Sequence, residues 1–167
     1  MKYLPFENIT YRTKLELEEI QKRINEVIEP KKTFRMTGIF GNSSHKPYEG
    51  SINGNSFSIT RIIGYRNSFL PRINGVIEKD FNGSKINVKM RLHVFVIVFM
   101  CIWFGGVGVG CLAVLTPLFN SDTFEPMKLI PFGMLLFGYA LVTGGFKYES
   151  IKSRKYLAQL FEAEIEK

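Results

Sequence analysis

Two cysteines, two histidines and a single tryptophan in 167 residues leave little material for disulfide, metal or nucleophile chemistry. Cys101 and Cys111 share one apolar stretch, where ten residues of helix separate them by about 15 Å, beyond the reach of a disulfide. Both read as small buried apolar residues. His45 lies in the Gly41–Lys46 loop beside two serines, with no cysteine, histidine or carboxylate cluster around it to make a metal site. No Ser–His–acid or Cys–His arrangement emerges from the spacing of the other polar residues. The expectation is a non-enzymatic protein with no cofactor and no metal.

Charge is the second absence. Val94–Phe119 runs 26 residues and Leu129–Phe146 runs 18 without Asp, Glu, Lys or Arg. A hydrocarbon core of roughly 30 Å needs about 20 helical residues, so both stretches are long enough to cross, the second narrowly. A full crossing and a re-entrant path both fit the second, given its length and Pro131. Their lack of ionisable groups excludes the machinery of an intramembrane protease, a proton relay or an ion-coupled transporter. The spacing of Gly106 and Gly110 resembles part of a nucleotide-binding loop. That reading needs a preceding strand and a polar-capped helix in water, and neither is available. Gly106, Gly110, Gly133 and Gly138 instead predict close helix packing, against the other span or a second copy of the chain.

Positive charge, by contrast, is plentiful and unevenly placed. Residues 1–92 carry a net +7, residues 93–146 a net −1, and residues 147–167 a net +1. Lys85, Lys89 and Arg91 precede the first apolar stretch, and Lys147, Lys152, Arg154 and Lys155 follow the second. The connection Asn120–Lys128 holds Asp122, Glu125 and one lysine. The positive-inside rule then puts both termini in the cytoplasm. Met1–Phe6 is followed by an acidic–basic helical pattern, unlike a signal peptide, so the front half is expected to stay where it is made. His93 falls at the predicted water–membrane boundary, beside Arg91.

The soluble front half changes period along its length. Leu17, Ile20, Ile24 and Ile28 predict an amphipathic helix over residues 10–29, stopped by Pro30, with Lys31 and Lys32 at the negative end of its dipole. From Thr33 onward the period is two. Phe34, Met36 and Phe40 alternate with other residues, and Tyr48–Ile52 and Phe57–Ile63 flank the hairpin signal Asn53-Gly54-Asn55. Arg72–Glu78 and Ser84–Arg91 flank Asn82-Gly83 in the same way. The predicted fold is α+β: one helix and a small antiparallel sheet of four or five strands (residues 1–92), a transmembrane hairpin (93–146, spans about 94–119 and 129–146), and a cytoplasmic amphipathic helix (147–167). Whether the sheet closes into a barrel is open at this level.

The segment Tyr65–Pro71, the stretch Met90-Arg91-Leu92-His93, and Cys101-Ile102-Trp103-Phe104-Gly105-Gly106 resemble small bacterial membrane proteins of uncharacterised activity. Those have a cytoplasmic front domain followed by two spans. The resemblance implies a bacterial inner (plasma) membrane and carries no catalytic or binding residues with it. From the residues themselves, the connection between the two strand pairs is the candidate site. Arg61, Arg66 and Arg72 could grip an anionic ligand or lipid headgroup, with Tyr65 and Phe69 inserting or stacking. The competing reading makes this an ordinary connection whose Phe69 and Leu70 plug the core and whose arginines are solvated. The expected function is binding or sensing of a ligand, lipid or protein at the inner leaflet. An oligomeric pore or membrane-disrupting effector triggered through the soluble domain is one alternative, and an accessory subunit of a larger membrane complex another. Expected partners are the bilayer with its anionic headgroups and further copies of the chain. Nucleic acid is disfavoured, because the inner leaflet already accounts for the basic charge.

Overall fold

Strand-forming residues open the chain. In the computed structural model, which describes residues 4–30, 46–120 and 126–166, the alternation Ile9, Tyr11, Thr13 faces inward along a first strand, β1 (Phe6–Thr13). This corrects the expected helix start at residue 10: β-branched and aromatic side chains favour the pleated surface there. The helix α1 (Leu17–Val27) follows and buries Leu17, Ile20 and Ile24, the expected apolar stripe. A two-residue strand, β2 (Ile28–Glu29), then leads into Pro30. Lys31, Lys32, Phe34, Met36, Phe40 and His45 lie outside the described residues, as do Asp122 and Glu125.

Both predicted hairpins form. β3 (Tyr48–Asn53) pairs with β4 (Ser56–Arg61) through a turn in which Gly54 has φ 55°, a conformation glycine adopts without strain. β5 (Arg72–Asp80) pairs with β6 (Gly83–Arg91), and Phe57 of β4 lays its ring over Gly75 of β5, where a side chain would collide with it. β1 joins the free side of β6, in register from Phe6 opposite Arg91 to Thr13 opposite Ser84. A last strand, β7 (Glu164–Glu166), adds to β1. The sheet is therefore mixed and has seven strands in the order β2-β3-β4-β5-β6-β1-β7, not the four or five expected; only β2–β3 is parallel.

Two long helices complete the chain: α2 (Val94–Asn120) and α3 (Ile130–Leu160). Both are long and apolar enough to cross a membrane. Of an 18-residue apolar stretch in α2 only 11% is buried, and in α3 only 17%, whereas the core helix of a soluble domain would be mostly covered. Cys101 is among the outward residues, contrary to expectation, while Cys111 is buried.

No break separates the second apolar stretch from the expected C-terminal helix. At 31 residues, α3 is about 46 Å long and runs from the apolar region onto the inner face of the sheet. There Leu157 and Phe161 are fully buried with Ile20, Ile24, Ile59, Ile73, Ile77 and Ile86 in one core. The Phe161 ring meets Tyr11 edge-on at 6.0 Å, and Thr13 Oγ1 donates to the Phe161 carbonyl at 2.6 Å. Arg23 of α1 donates to the Leu160 carbonyl at 3.0 Å and pairs with Glu162 at 2.7 Å. Glu162, at φ 47°, turns the chain out of the helix toward β7. One face of the sheet is thus covered by α1 and the end of α3. The other, carrying Ser58, Thr60, Arg72, Asn74, Lys89 and Arg91, has no helix over it among the described residues.

Candidate functional site

The residues expected to bind a ligand are mostly engaged in holding the sheet to α3. Arg61, the last residue of β4, donates from Nη1 to Glu149 Oε2 at 2.8 Å. Tyr65 donates its hydroxyl to the other carboxylate oxygen of Glu149. Glu149 sits three residues beyond the apolar half of α3 and is fully buried, while the Arg61 side chain keeps 29% of its surface. An isolated carboxylate would not tolerate that position; two charge-assisted contacts make it tenable. The bond to the carboxylate, with some burial, pushes the Tyr65 pKa up to about 12.

One turn further back, Asn67 donates from Nδ2 to the carbonyl of Gly145 at 3.1 Å and accepts the Phe69 backbone N–H at 2.9 Å. This local turn aims Phe69 at Gly145, where an added Cβ would lie 2.9 Å from the ring. Phe69 also lines an apolar cavity of about 410 Å³ with Trp103, Met134, Phe137 and Gly138. A second ion pair, Lys147 to Glu7 of β1 at 2.7 Å, is nearly as buried as the first. The junction is therefore fastened at Gly145, Lys147 and Glu149, all within five residues of one helix.

The five predicted residues do not converge on one site. Arg61, Tyr65 and Phe69 face α3, Arg66 is exposed, and Arg72 lies on the open sheet face with Nε bonded to Ser58 Oγ at 3.2 Å. Phe69 packs, partly buried, against the core, while Arg61 is paired with Glu149 and not simply solvated. Of the four glycines expected to pack, Gly138 lies against Phe104 and Trp103 (a Cβ would be 3.3 Å and 3.4 Å away), and Gly110 approaches Pro131. Gly106 and Gly133 meet nothing within 4 Å among the described residues.

Sequence reasoning missed Glu149, although a signal was present: it is the sole acid between Pro126 and Phe161. It also missed Glu7, which lies before the predicted helix and has no role in that reading. Tyr48 and Ser153 add a quieter polar feature. Their hydroxyls are buried without a well-aligned hydrogen bond, and burial pushes the Tyr48 pKa up to about 12 while Ser153 opposes that rise. Among the described residues, no three His, Cys, Asp or Glu side chains lie close enough to hold a metal ion. Compared with known proteins, no family model matches the chain, and no curated protein and no solved structure matches it either.

Proposed function

We infer that the chain is a non-enzymatic integral membrane protein of the bacterial inner membrane. In this reading α2 and the first half of α3 cross the bilayer, and the sheet domain works as a binding platform at the cytoplasmic surface. The observation that carries it is the single helix α3: apolar and largely outward-facing over residues 130–141, it buries Val142 and Phe146 at the domain and then lays one face, Glu149, Ser150, Ser153 and Leu157, against the sheet. An anchor and a domain sharing one helix move together, so a ligand held by the sheet is held at a set height and angle to the membrane. The outward apolar surface of both helices needs a covering of hydrocarbon, and the basic residues at their cytoplasmic ends set the orientation.

The test is a topology measurement in whole cells. Asn82→Cys, in the exposed turn between β5 and β6, is placed in a chain with Cys101 and Cys111 changed to Ala. Membrane-impermeant maleimide should label it only after lysis, and the chain should stay with membranes after alkaline extraction. Labelling in intact cells would reverse the orientation, and release by alkali would remove the membrane reading.

A second reading, assembly of several copies into a pore or effector, draws on one observation. Gly105, Gly106, Gly108 and Gly133 leave shallow, unoccupied helix surface on the hairpin, which suits close approach of another helix. The mass of the full chain in nanodiscs tests it, a discrete multimer being required.

A further inference from the structure

Strand register arranges the open face of the sheet in rows. The row nearest the hairpin runs Glu29, Glu49, Thr60, Arg72, Arg91, Phe6 across β2, β3, β4, β5, β6 and β1, with its two acids at the β2–β3 end. The next runs Ser51, Ser58, Asn74, Lys89, Asn8. A row farther out runs Glu78, Lys85, Arg12. Charge is distributed very differently along these rows. Far from the hairpin, Glu78 lies opposite Lys85 and Arg12 pairs with Glu166 at 3.2 Å. Near it, Arg72 and Arg91 are direct cross-strand partners, both exposed, with Lys89 beside them, and no carboxylate bonds any of the three among the described residues. The nearest acid of that row, Glu49, lies two strands from Arg72, about 10 Å away.

Like charges directly opposite on neighbouring strands destabilise a sheet, so the arrangement costs the free protein stability. It becomes favourable once an anion sits between the guanidinium groups, whose fork matches phosphate oxygens two at a time. Arg72 is already oriented by Ser58, which leaves its terminal nitrogens without a protein partner among the described residues. Beside it, Ser51, Ser58 and Thr60 line a hollow of about 260 Å³ with Pro30 and Gly50, and their hydroxyls can donate to an anion. Arg91 precedes the first residue of α2 by three positions, about 10 Å of extended chain.

We propose that Arg72 and Arg91, supported by Lys89 and the Ser58 and Thr60 hydroxyls, form a phosphate-binding seat that holds an anionic lipid headgroup of the inner leaflet. The inference rests on the membrane reading for the source of the phosphate, and the site chemistry would equally take a free phosphate.

The test is thermal unfolding of the full chain, followed by circular dichroism, in nanodiscs of phosphatidylcholine with and without phosphatidylglycerol. In phosphatidylcholine alone, Arg72→Gln/Arg91→Gln should unfold about 2–5 °C above the natural sequence, because the cross-strand repulsion is gone. Adding phosphatidylglycerol should raise the natural sequence by a similar amount and leave the double variant unmoved, while Lys85→Gln, in the far row, responds like the natural sequence. Arg91→Gln alone should show nearly all of the first effect, because losing one charge ends the pair repulsion, and about half of the second, which keeps the test open if the double variant folds poorly. Inorganic phosphate at constant ionic strength supplies the second arm: stabilisation by it and not by the lipid keeps the seat and assigns it a soluble phosphate. A double variant that is less stable than the natural sequence and gains equally from phosphatidylglycerol would overturn the seat. A chain that does not enter nanodiscs would overturn the membrane reading instead, and the phosphate arm, run in lipid-free buffer, would still decide the seat.

Discussion

The two halves of α3 are one helix in two surroundings. Residues 130–146 present Ile130, Leu136, Phe137 and Leu141 outward, pack Gly138 against Trp103 and Phe104, and join the core only at Val142 and Phe146. Residues 147–160 bury Glu149, Ser150, Ser153 and Leu157 against the sheet. Water makes the second half pack, since each large apolar side chain it buries contributes about 1.5–3 kcal/mol. In a bilayer the first half gains no such drive, because lipid tails are as apolar as its own side chains, and close packing must hold it instead. The lesson is that helix continuity, not burial, transmits position across the boundary. On the membrane reading, the polar clamp at residues 145–149 sits where one regime gives way to the other.

The largest effect is expected from that clamp. Arg61→Ala strands the buried Glu149 carboxylate beside Tyr65 alone and should destabilise the domain by about 3–5 kcal/mol. Arg61→Leu with Glu149→Leu, which removes both charges, should recover most of the loss. Denaturant unfolding in mild detergent gives both values. If the double change were as damaging as the single one, the ion pair would not be the element that ties the halves together.

Glycines sharpen the comparison at the next level. Gly145→Leu drives a side chain into Phe69 and the Asn67 turn and should cost about 1–3 kcal/mol by overpacking. Gly133→Leu, on the same helix but facing open space, should leave the unfolding midpoint of the single chain within about 0.5 kcal/mol of the natural value. Should Gly133→Leu instead lower the mass of the protein in nanodiscs, its open surface would be where a second copy docks.

What could be read in the residues divides along the same line. The apolar stretches, both hairpins with their Asn-Gly turns, and the Leu17–Ile24 stripe are local patterns, and each appears where its period places it. β1 was hidden because Thr10–Thr13 adjoins a strong helical stripe, and its strand character depends on a β6 partner some 75 residues away. β7 has three residues and exists because α3 ends beside β1. The continuity of α3 was obscured by the shift from apolar to charged composition after Phe146, which looks like a change of element. The candidate loop was legible as distinctive in Tyr65–Arg72, but its partners Gly145 and Glu149 lie on a helix that sequence spacing cannot bring to it.

Two tyrosines test the polar side of the junction at high pH. Tyr65 and Tyr48 both have folded pKa values pushed up to about 12, Tyr65 by its bond to Glu149 and Tyr48 by burial. A group whose pKa is raised on folding stabilises below its unfolded value and loses that contribution as pH rises through its folded one. Stability should therefore hold up to about pH 10 and fall between about pH 10 and 12, as unfolded chains release protons the folded protein retains.

At neutral pH the same two hydroxyls should separate. Tyr65→Phe removes a donor from a buried carboxylate and should cost about 1 kcal/mol, less than a fully buried bond because Tyr65 is half exposed. Tyr48→Phe removes a buried hydroxyl that lacks an aligned partner, so its cost should stay within about 0.5 kcal/mol of zero. Paired unfolding curves at neutral and high pH check both: each variant should flatten its share of the alkaline decline, and only Tyr65→Phe should lower the neutral midpoint. Equal neutral losses would mean that Tyr48 and Ser153 share a hydrogen bond as good as the one at Glu149, and that the junction is fastened at a further point one turn along α3.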